Sequence, residues 1–477
     1  MKIDAKQVRA AVDARAQAAW DLAMDVWRAA ELNWRESISA EATARALEAQ
    51  GFTVERGACG MATALTASWG TTGPLIAFLG EYDALPGLSQ EAGQPSQAPV
   101  CENAPGHGCG HSLLGAAAFA AAAALKSLVE AGAVQCRIRY YGCPAEEDGG
   151  GKVFFARAGA FSDVDAVFAW HPGDANYVSG QGCLAVTGVL YRFTGRTAHA
   201  AAAPFAGRSA LDACELMNVG CNYLREHILP TARLHYAYRD TGGTAPNVVP
   251  EKACLHYYIR APKVADMLEI KQRVDDVARG AALMTGTQLT ITEVDGFSDY
   301  VPNRILSQLL CDCLAEVGAP AWDEADKALA ARFAATLSDA ERRANLGGTA
   351  AASHLPVSAY WDKLLDDGVA PYVHQPQVAE PGSTDVGDVS YCAPTAQLYC
   401  AMEALGTGGH TWQMTAQAAS PLGRKGMLTA AAVLALAAAR AAADPALLAR
   451  AKQEHAESCP DGYRCPMPEN AKPQPAE

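Results

Sequence analysis

Gly106-His107-Gly108-Cys109-Gly110-His111 runs straight into Ser112-Leu113-Leu114-Gly115 and an alanine-rich helical pattern that continues to Glu130. A thiol and an imidazole two residues apart, flanked by glycines at a helix start, are hard to explain as packing. Glycine opens backbone conformations closed to other residues and keeps bulk away from whatever the side chains hold. A helix N-terminus favours the thiolate, the form that binds metal. Cys-x-His is a short pattern, so its weight depends on whether other apolar segments also end in ligand types. They do.

Upstream, Gly73-Pro74-Leu75-Ile76-Ala77-Phe78-Leu79-Gly80 suits a buried parallel strand and opens into Glu81-Tyr82-Asp83. Downstream, a strand over 136–141 ends in Gly142-Cys143-Pro144-Ala145-Glu146-Glu147-Asp148-Gly149-Gly150-Gly151, and one over 164–170 delivers His171-Pro172-Gly173. Strand, polar end and helix in repetition predict an α/β fold with its ligands along one sheet edge. From Gly182 the pattern changes. Strands over 184–194, 232–239, 253–260 and 288–294, with helices over 208–224 and 264–284, follow the ferredoxin-like α+β order. We therefore read 186–298 as an inserted domain and 1–185 with 299–477 as the discontinuous first one. The remainder reads as one helix over 5–30 and a second capped by Ser39, with a mobile polar loop at 88–105. A long polar stretch follows at 339–384, then a strand at 396–403, a last helix at 426–443 and an extended tail from Cys459.

The composition fits this plan. A chain of 477 residues, 50% hydrophobic and 19% charged, has the core for two domains. A formal charge of −14 argues against nucleic acid or an anionic membrane as partner, though an anionic small substrate needs only a local basic pocket. The N-terminal stretch is amphipathic and lacks an apolar export core, so the fifteen cysteines are expected as reduced thiols in the cytoplasm. The longest apolar run, 427–443, carries Arg440 and reads as a buried helix, not a membrane span.

Candidate metal ligands thus stand at Cys109, His111, Glu147, His171 and His410. Nitrogen, oxygen and sulfur together suit two borderline ions such as Zn²⁺, Mn²⁺ or Co²⁺ better than Mg²⁺ or Ca²⁺. Within Glu146-Glu147, one carboxylate can ligate while its neighbour takes the proton of an attacking water, which is metal-assisted amide hydrolysis. His107 is a further candidate, but Cys109 and His111 fill the local positions and leave it a structural role. Asp83 and Asp388 suit carboxylates that orient a ligating histidine. In the inserted domain Arg260 ends an alternating strand and its fork suits a substrate carboxylate. His199 is placed to donate to an oxyanion and Asn247 to bind the substrate backbone. Each of these three, taken singly, reads more readily as a surface or capping residue.

Taken in order, several segments resemble the M20 metallopeptidase family in its aminoacylase-like amidohydrolase branch. They are Gly80 to Leu85, Gly106 to Leu114, Gly142 to Gly151, Trp170-His171-Pro172, Ala198-His199-Ala200-Ala201, Gly207 to Ala213, Pro246-Asn247-Val248-Val249, Ile259 to Pro262, Ser383 to Ser390, His410 to Gln413 and Tyr463 to Pro466. The resemblance implies an aminopeptidase-like catalytic domain holding two divalent ions, Zn²⁺ or Mn²⁺, with a ferredoxin-like lid that also mediates dimerisation. It implies Glu146 as general base, the five ligands above, and His199 completing the partner's site in a homodimer. Glu81-Tyr82-Asp83 stands where the broader family has a His-x-Asp ligand pair, and Cys109 takes the bridging role. The expected activity is hydrolysis of an N-aroyl or N-acyl amino acid, p-aminobenzoyl-glutamate first. The alternatives are another aromatic conjugate, such as indole-acetyl-aspartate or a xenobiotic amide, or a non-catalytic member of a heteromer whose other chain is related to this one.

Overall fold

The computed structural model describes residues 3–380 and 382–473; residues 1–2, 381 and 474–477, which belong to the expected first domain and its Pro-rich tail, lie outside the described residues. In chain order the strands are β1 (Thr53–Arg56), β2 (Leu65–Trp69), β3 (Leu75–Glu81), β4 (Arg137–Cys143), β5 (Ala166–Gly173), β6 (Tyr177–Val178) and β7 (Gln181–Cys183). Then follow β8 (Ala185–Thr194), β9 (Arg233–Asp240), β10 (Lys252–Ala261), β11 (Gln288–Phe297), β12 (Gln375–Glu380) and β13 (Thr395–Ala401).

A seven-stranded sheet has the order β1-β2-β4-β3-β5-β13-β6. Its centre, β4-β3-β5-β13, is parallel, so four strands end at the same edge. Central parallel strands are covered on both faces, which is why β3 is buried along its whole length. On one face lie the helices His111–Glu130 and Pro421–Ala442, each rich in alanine. Both are long and apolar enough to cross a membrane, yet 83% and 89% of their apolar windows are buried within the protein. Small side chains let the helix backbone press onto the strands. At Gly115 a Cβ would come within 2.6 Å of the Glu81 carbonyl oxygen, so only glycine fits there.

A second sheet, β11-β8-β10-β9, is antiparallel throughout and carries the helices Ala210–Leu224 and Val264–Thr285 on one face. The strand β10 alternates cleanly: Leu255, Tyr257 and Ile259 face the helices, while His256, Tyr258 and Arg260 face away.

Several local readings need correction. The expected single helix at 5–30 is two, Ala5–Asp13 and Ala16–Ala29. The next helix begins at Ser37, with Ser39 inside it, donating its hydroxyl to Glu31. The loop at 88–105 is irregular but tied, since the Gln90 amide donates to the carbonyls of Gln94 and Ser96 and accepts from the Ala98 N–H. Several helices were not expected from the sequence, among them Asp339–Ser353, in the stretch read as polar, and Pro445–Ser458. The first carries a reciprocal capping box between Ser338 and Glu341, a signal present in the sequence.

Candidate active site

The shared edge of the parallel strands collects the predicted ligands. β3 ends on Glu81, β4 runs into Glu146 and Glu147, β5 carries His171, and the loop after β13 carries His410. Gly110, in the left-handed region at φ 77°, caps the helix that begins at His111. The His410 N–H donates to the Gly108 carbonyl at 2.8 Å, which stitches the two glycine-rich loops together.

Three sets of side chains each bring ligand atoms within 4.8 Å of one another: Cys109, His111 and His171; Cys109, Glu147 and His410; and Glu81, His111 and Glu146. Cys109 belongs to two of them. Its sulfur lies 3.4 Å from His171 Nε2, and Glu147 Oε2 lies 3.4 Å from His410 Nε2. All five predicted ligands and Glu146 therefore converge. Glu81 joins them without having been expected as a ligand, 3.2 Å from His111 Nε2. Its place at the end of a buried strand was the signal available.

The surrounding contacts orient these atoms. His111 Nδ1 donates to Asp83 Oδ1 at 2.8 Å and His171 Nδ1 donates to the Pro172 carbonyl at 2.7 Å, which leaves both Nε2 lone pairs facing the cluster. Asp83 thus does what was expected of it, and also accepts the Glu147 N–H. His107 is structural, its Nε2 bonded to the Val26 carbonyl. Asp388 does not orient a histidine: it accepts from the Ser298 N–H and hydroxyl and from Tyr463. A fully buried Lys152 spans Glu81 at 2.5 Å and Asp385 at 2.6 Å, and no sequence pattern pointed to it.

Glu146 is aimed by backbone strain. Ala145 before it adopts φ 56°, rarely tolerated by a residue with a Cβ, and its N–H donates to the buried Glu36 carboxylate at 2.9 Å. Burial, then Asp83 nearby, pushes Glu36 up to about 7.

The donor set fits cations. Glu81 Oε2, His111 Nε2 and Glu147 Oε1 are buried with no hydrogen-bond partner, a costly state that a bound ion relieves. Burial works against a charge on His111, while Cys109, Asp83 and Glu81 draw positive charge to its Nε2, and a bound cation would supply that charge in place of a proton. Burial, then His111 beside it, lowers His171 to about 4 and keeps it neutral, as ligation requires. One expectation fails here. The helix starts after Cys109, and burial followed by Glu147 pushes the thiol well above its ordinary range, so the helix terminus alone does not make a thiolate.

A pocket of about 550 Å³ opens over the cluster and is shared with the second sheet through Tyr258 and Arg260. Arg260 Nη1 donates to Ser383 at 2.8 Å and its guanidinium lies 5.6 Å from the Tyr258 ring centroid. His199 and Asn247 stand elsewhere. Both are exposed and absent from this pocket's lining; His199 bridges to Val248, and its Nδ1 accepts from the Ala201 and Ala202 N–H groups.

Known proteins can be set beside this geometry. The chain is 43% identical over 472 residues to one of the subunits of the p-aminobenzoyl-glutamate hydrolase of Escherichia coli K12, covering 98% of each chain. It is 31% identical over 461 residues to the Xaa-Arg dipeptidase of Mus musculus, covering 93% and 90% of the two. The crystal structure of the aminobenzoyl-glutamate utilization protein from Klebsiella pneumoniae shares the fold with TM-score 0.60 at 19% identity, over 90% of this chain and 97% of that one. The profile of Peptidase family M20/M25/M40 matches residues 77–420, and with it the chain belongs to that family.

Proposed function

We propose that this chain hydrolyses the amide bond of N-aroyl amino acids, p-aminobenzoyl-glutamate foremost, giving p-aminobenzoate and glutamate. The observation that carries the reading is the convergence of unpartnered, buried ligand atoms beside Glu146. The similarity to the Escherichia coli hydrolase chain over nearly the whole length supports the substrate. Cys109, His111, Glu147, His171 and His410 would hold two divalent ions, Zn²⁺ or Mn²⁺, with Glu81 beside His111 in the same cluster. When bound, such ions supply Lewis acidity and lower the pKa of a coordinated water towards neutrality.

The chain's own residues do the rest. Glu146 takes a proton from the attacking water and hands it to the leaving nitrogen. Burial, then Glu81, Asp385 and Glu147, raises its carboxyl well above the usual range, the direction a general base at neutral pH needs. Arg260 holds the substrate carboxylate, fixed by Ser383 and Tyr258. The domain formed by 186–298 closes over the pocket and forms the dimer contact, and His199 with Asn247 acts on the partner's substrate, which suits their exposure here.

The test is an assay of the purified chain, stripped and then reloaded with Mn²⁺ or Zn²⁺. Glutamate release from p-aminobenzoyl-glutamate by the reloaded chain alone is expected. Release only after a second, related chain is added assigns this one to a heteromer, and no release under either condition overturns the substrate.

A further inference from the structure

Beyond the metal-ligating end, the pocket runs along an aromatic wall. Tyr399 lies 5.5 Å from the His171 ring and stacks on Tyr177 at 4.6 Å with 3° between the planes. The same pocket is lined by Glu403, two residues past the end of β13 and close enough to Asp174 to feel its charge. The two acids differ. Asp174 is satisfied by the Thr349 hydroxyl and the Gly406 N–H. Glu403 lines the pocket, is 2% exposed, and its Oε2 has no hydrogen-bond partner. No cation faces it among the described residues; burial and then Asp174 push its carboxyl well above the ordinary range.

A buried carboxyl without a partner is expensive to keep and is found where something else completes it. Other buried acids of this edge have partners within the chain: Lys152 pairs with Glu81 and Asp385, and His111 with Asp83. Glu380, the last residue of β12, also brings an unpartnered oxygen to the pocket, but it is partly exposed. Glu403 is the group whose partner has to come with the ligand.

We propose that Glu403 is a specificity-determining residue that accepts a hydrogen bond from an amino group on the acyl side of the substrate, selecting amine-bearing aroyl groups over their unsubstituted counterparts. The inference rests on the reading of the pocket as an N-aroyl amino acid site. With Arg260 holding the carboxylate of the amino acid, the acyl group takes the other direction, its ring against Tyr399 and Tyr177. An amino group in the para position then points away from the scissile carbonyl and towards the carboxyl. A neutral arylamine suits a carboxyl that burial keeps uncharged, because neither group has to ionise.

The experiment compares kcat/KM for 4-aminobenzoyl-glutamate and benzoyl-glutamate in the metal-loaded wild type, Glu403→Gln and Glu403→Leu. The wild type is expected to favour the amino substrate by about tenfold, the worth of one well-placed hydrogen bond. Glu403→Gln, which keeps an acceptor, should retain most of that preference, and Glu403→Leu should bring the ratio close to one. A wild-type ratio near one, or an unchanged ratio in Glu403→Leu, overturns the proposal. Calorimetric binding of 4-aminobenzoate and benzoate to the metal-loaded wild type needs neither a folded variant nor turnover. A roughly tenfold tighter 4-aminobenzoate supports the proposal, and equal affinities overturn it. Discrimination in binding without hydrolysis of either amide would leave this assignment standing while removing the proposed reaction.

Discussion

The carboxyl edge of the seven-stranded sheet and the His199–Asn247 corner of the second sheet both carry polar residues that the sequence singled out, yet they are opposite environments. At the edge the side chains are buried or half-buried except for the exposed His410, and several of their polar atoms have no partner among the described residues. At the corner both are exposed, and the His199 ring accepts from its own backbone neighbours. A site complete within one chain concentrates unsatisfied buried groups, because the fold meets their cost elsewhere. Residues that act on a second molecule can wait in solvent at little cost. On the proposed reading, the contrast separates what one copy of this protein does alone from what requires another.

The largest expected effect lies at the edge. Glu146→Gln should lower kcat by about 10²–10⁴ with metal content unchanged, since it removes the proton carrier and no expected ligand; a rate within a factor of a few of the wild type excludes Glu146 as base. Cys109→Ala should abolish binding of at least one ion, read by elemental analysis, because Cys109 is common to two of the three ligand sets. Two ions retained per chain would show that Cys109 does not bridge them. Arg260→Ala comes next, with KM raised about 10–100-fold and kcat less affected, as a lost carboxylate contact predicts.

The corner supplies a sharper separation. His199→Ala should leave the melting temperature within about a degree, because exposed side chains contribute little to stability. If it acts across a dimer, kcat should fall about tenfold, and mixing with Glu146→Gln chains should restore activity by pairing an intact edge with an intact corner. No restoration would confine each site to its own chain.

The smallest effect concerns stability and pH. Glu36 rises to about 7 in the folded protein from an ordinary value of 4.5. A raised acid binds its proton more tightly when folded, so its contribution is fully present below about pH 4.5 and is lost as pH rises through about 7. Glu36→Gln can keep the bonds to the Trp34 and Ala145 N–H groups through its carbonyl oxygen and donate its amide to Thr63, without ever ionising. The variant should therefore be more stable than the wild type at pH 8, by about 1–3 kcal/mol, and match it near pH 4.5. Parallel unfolding curves at both pH values would show that Glu36 does not titrate in this range.

Much of this was legible before any coordinates. The apolar run at 75–80, the Cys-x-His at a helix start and the paired glutamates after a second run place ligand types at strand ends, and parallel strands all end at one edge. Periodicity of two along 253–260 fixed which face Arg260 would take, since a strand's side chains alternate whatever surrounds them. The start of the helix at 339–353 is written in the sequence too, as the capping box of Ser338 and Glu341.

The rest could not be read from the chain in one dimension. That Lys152 pairs with both Glu81 and Asp385, that Glu36 holds Ala145 in a strained conformation, and that Glu403 Oε2 finds no partner among the described residues are relations between residues 71 to 233 positions apart or absences of any relation. Local sequence determined which elements form and which residue types stand at their ends, because hydrogen-bonding period and side-chain alternation act over a few residues. Only the tertiary structure decided which of those groups are buried and partnered, because desolvation and charge pairing depend on what the folded chain brings from far away.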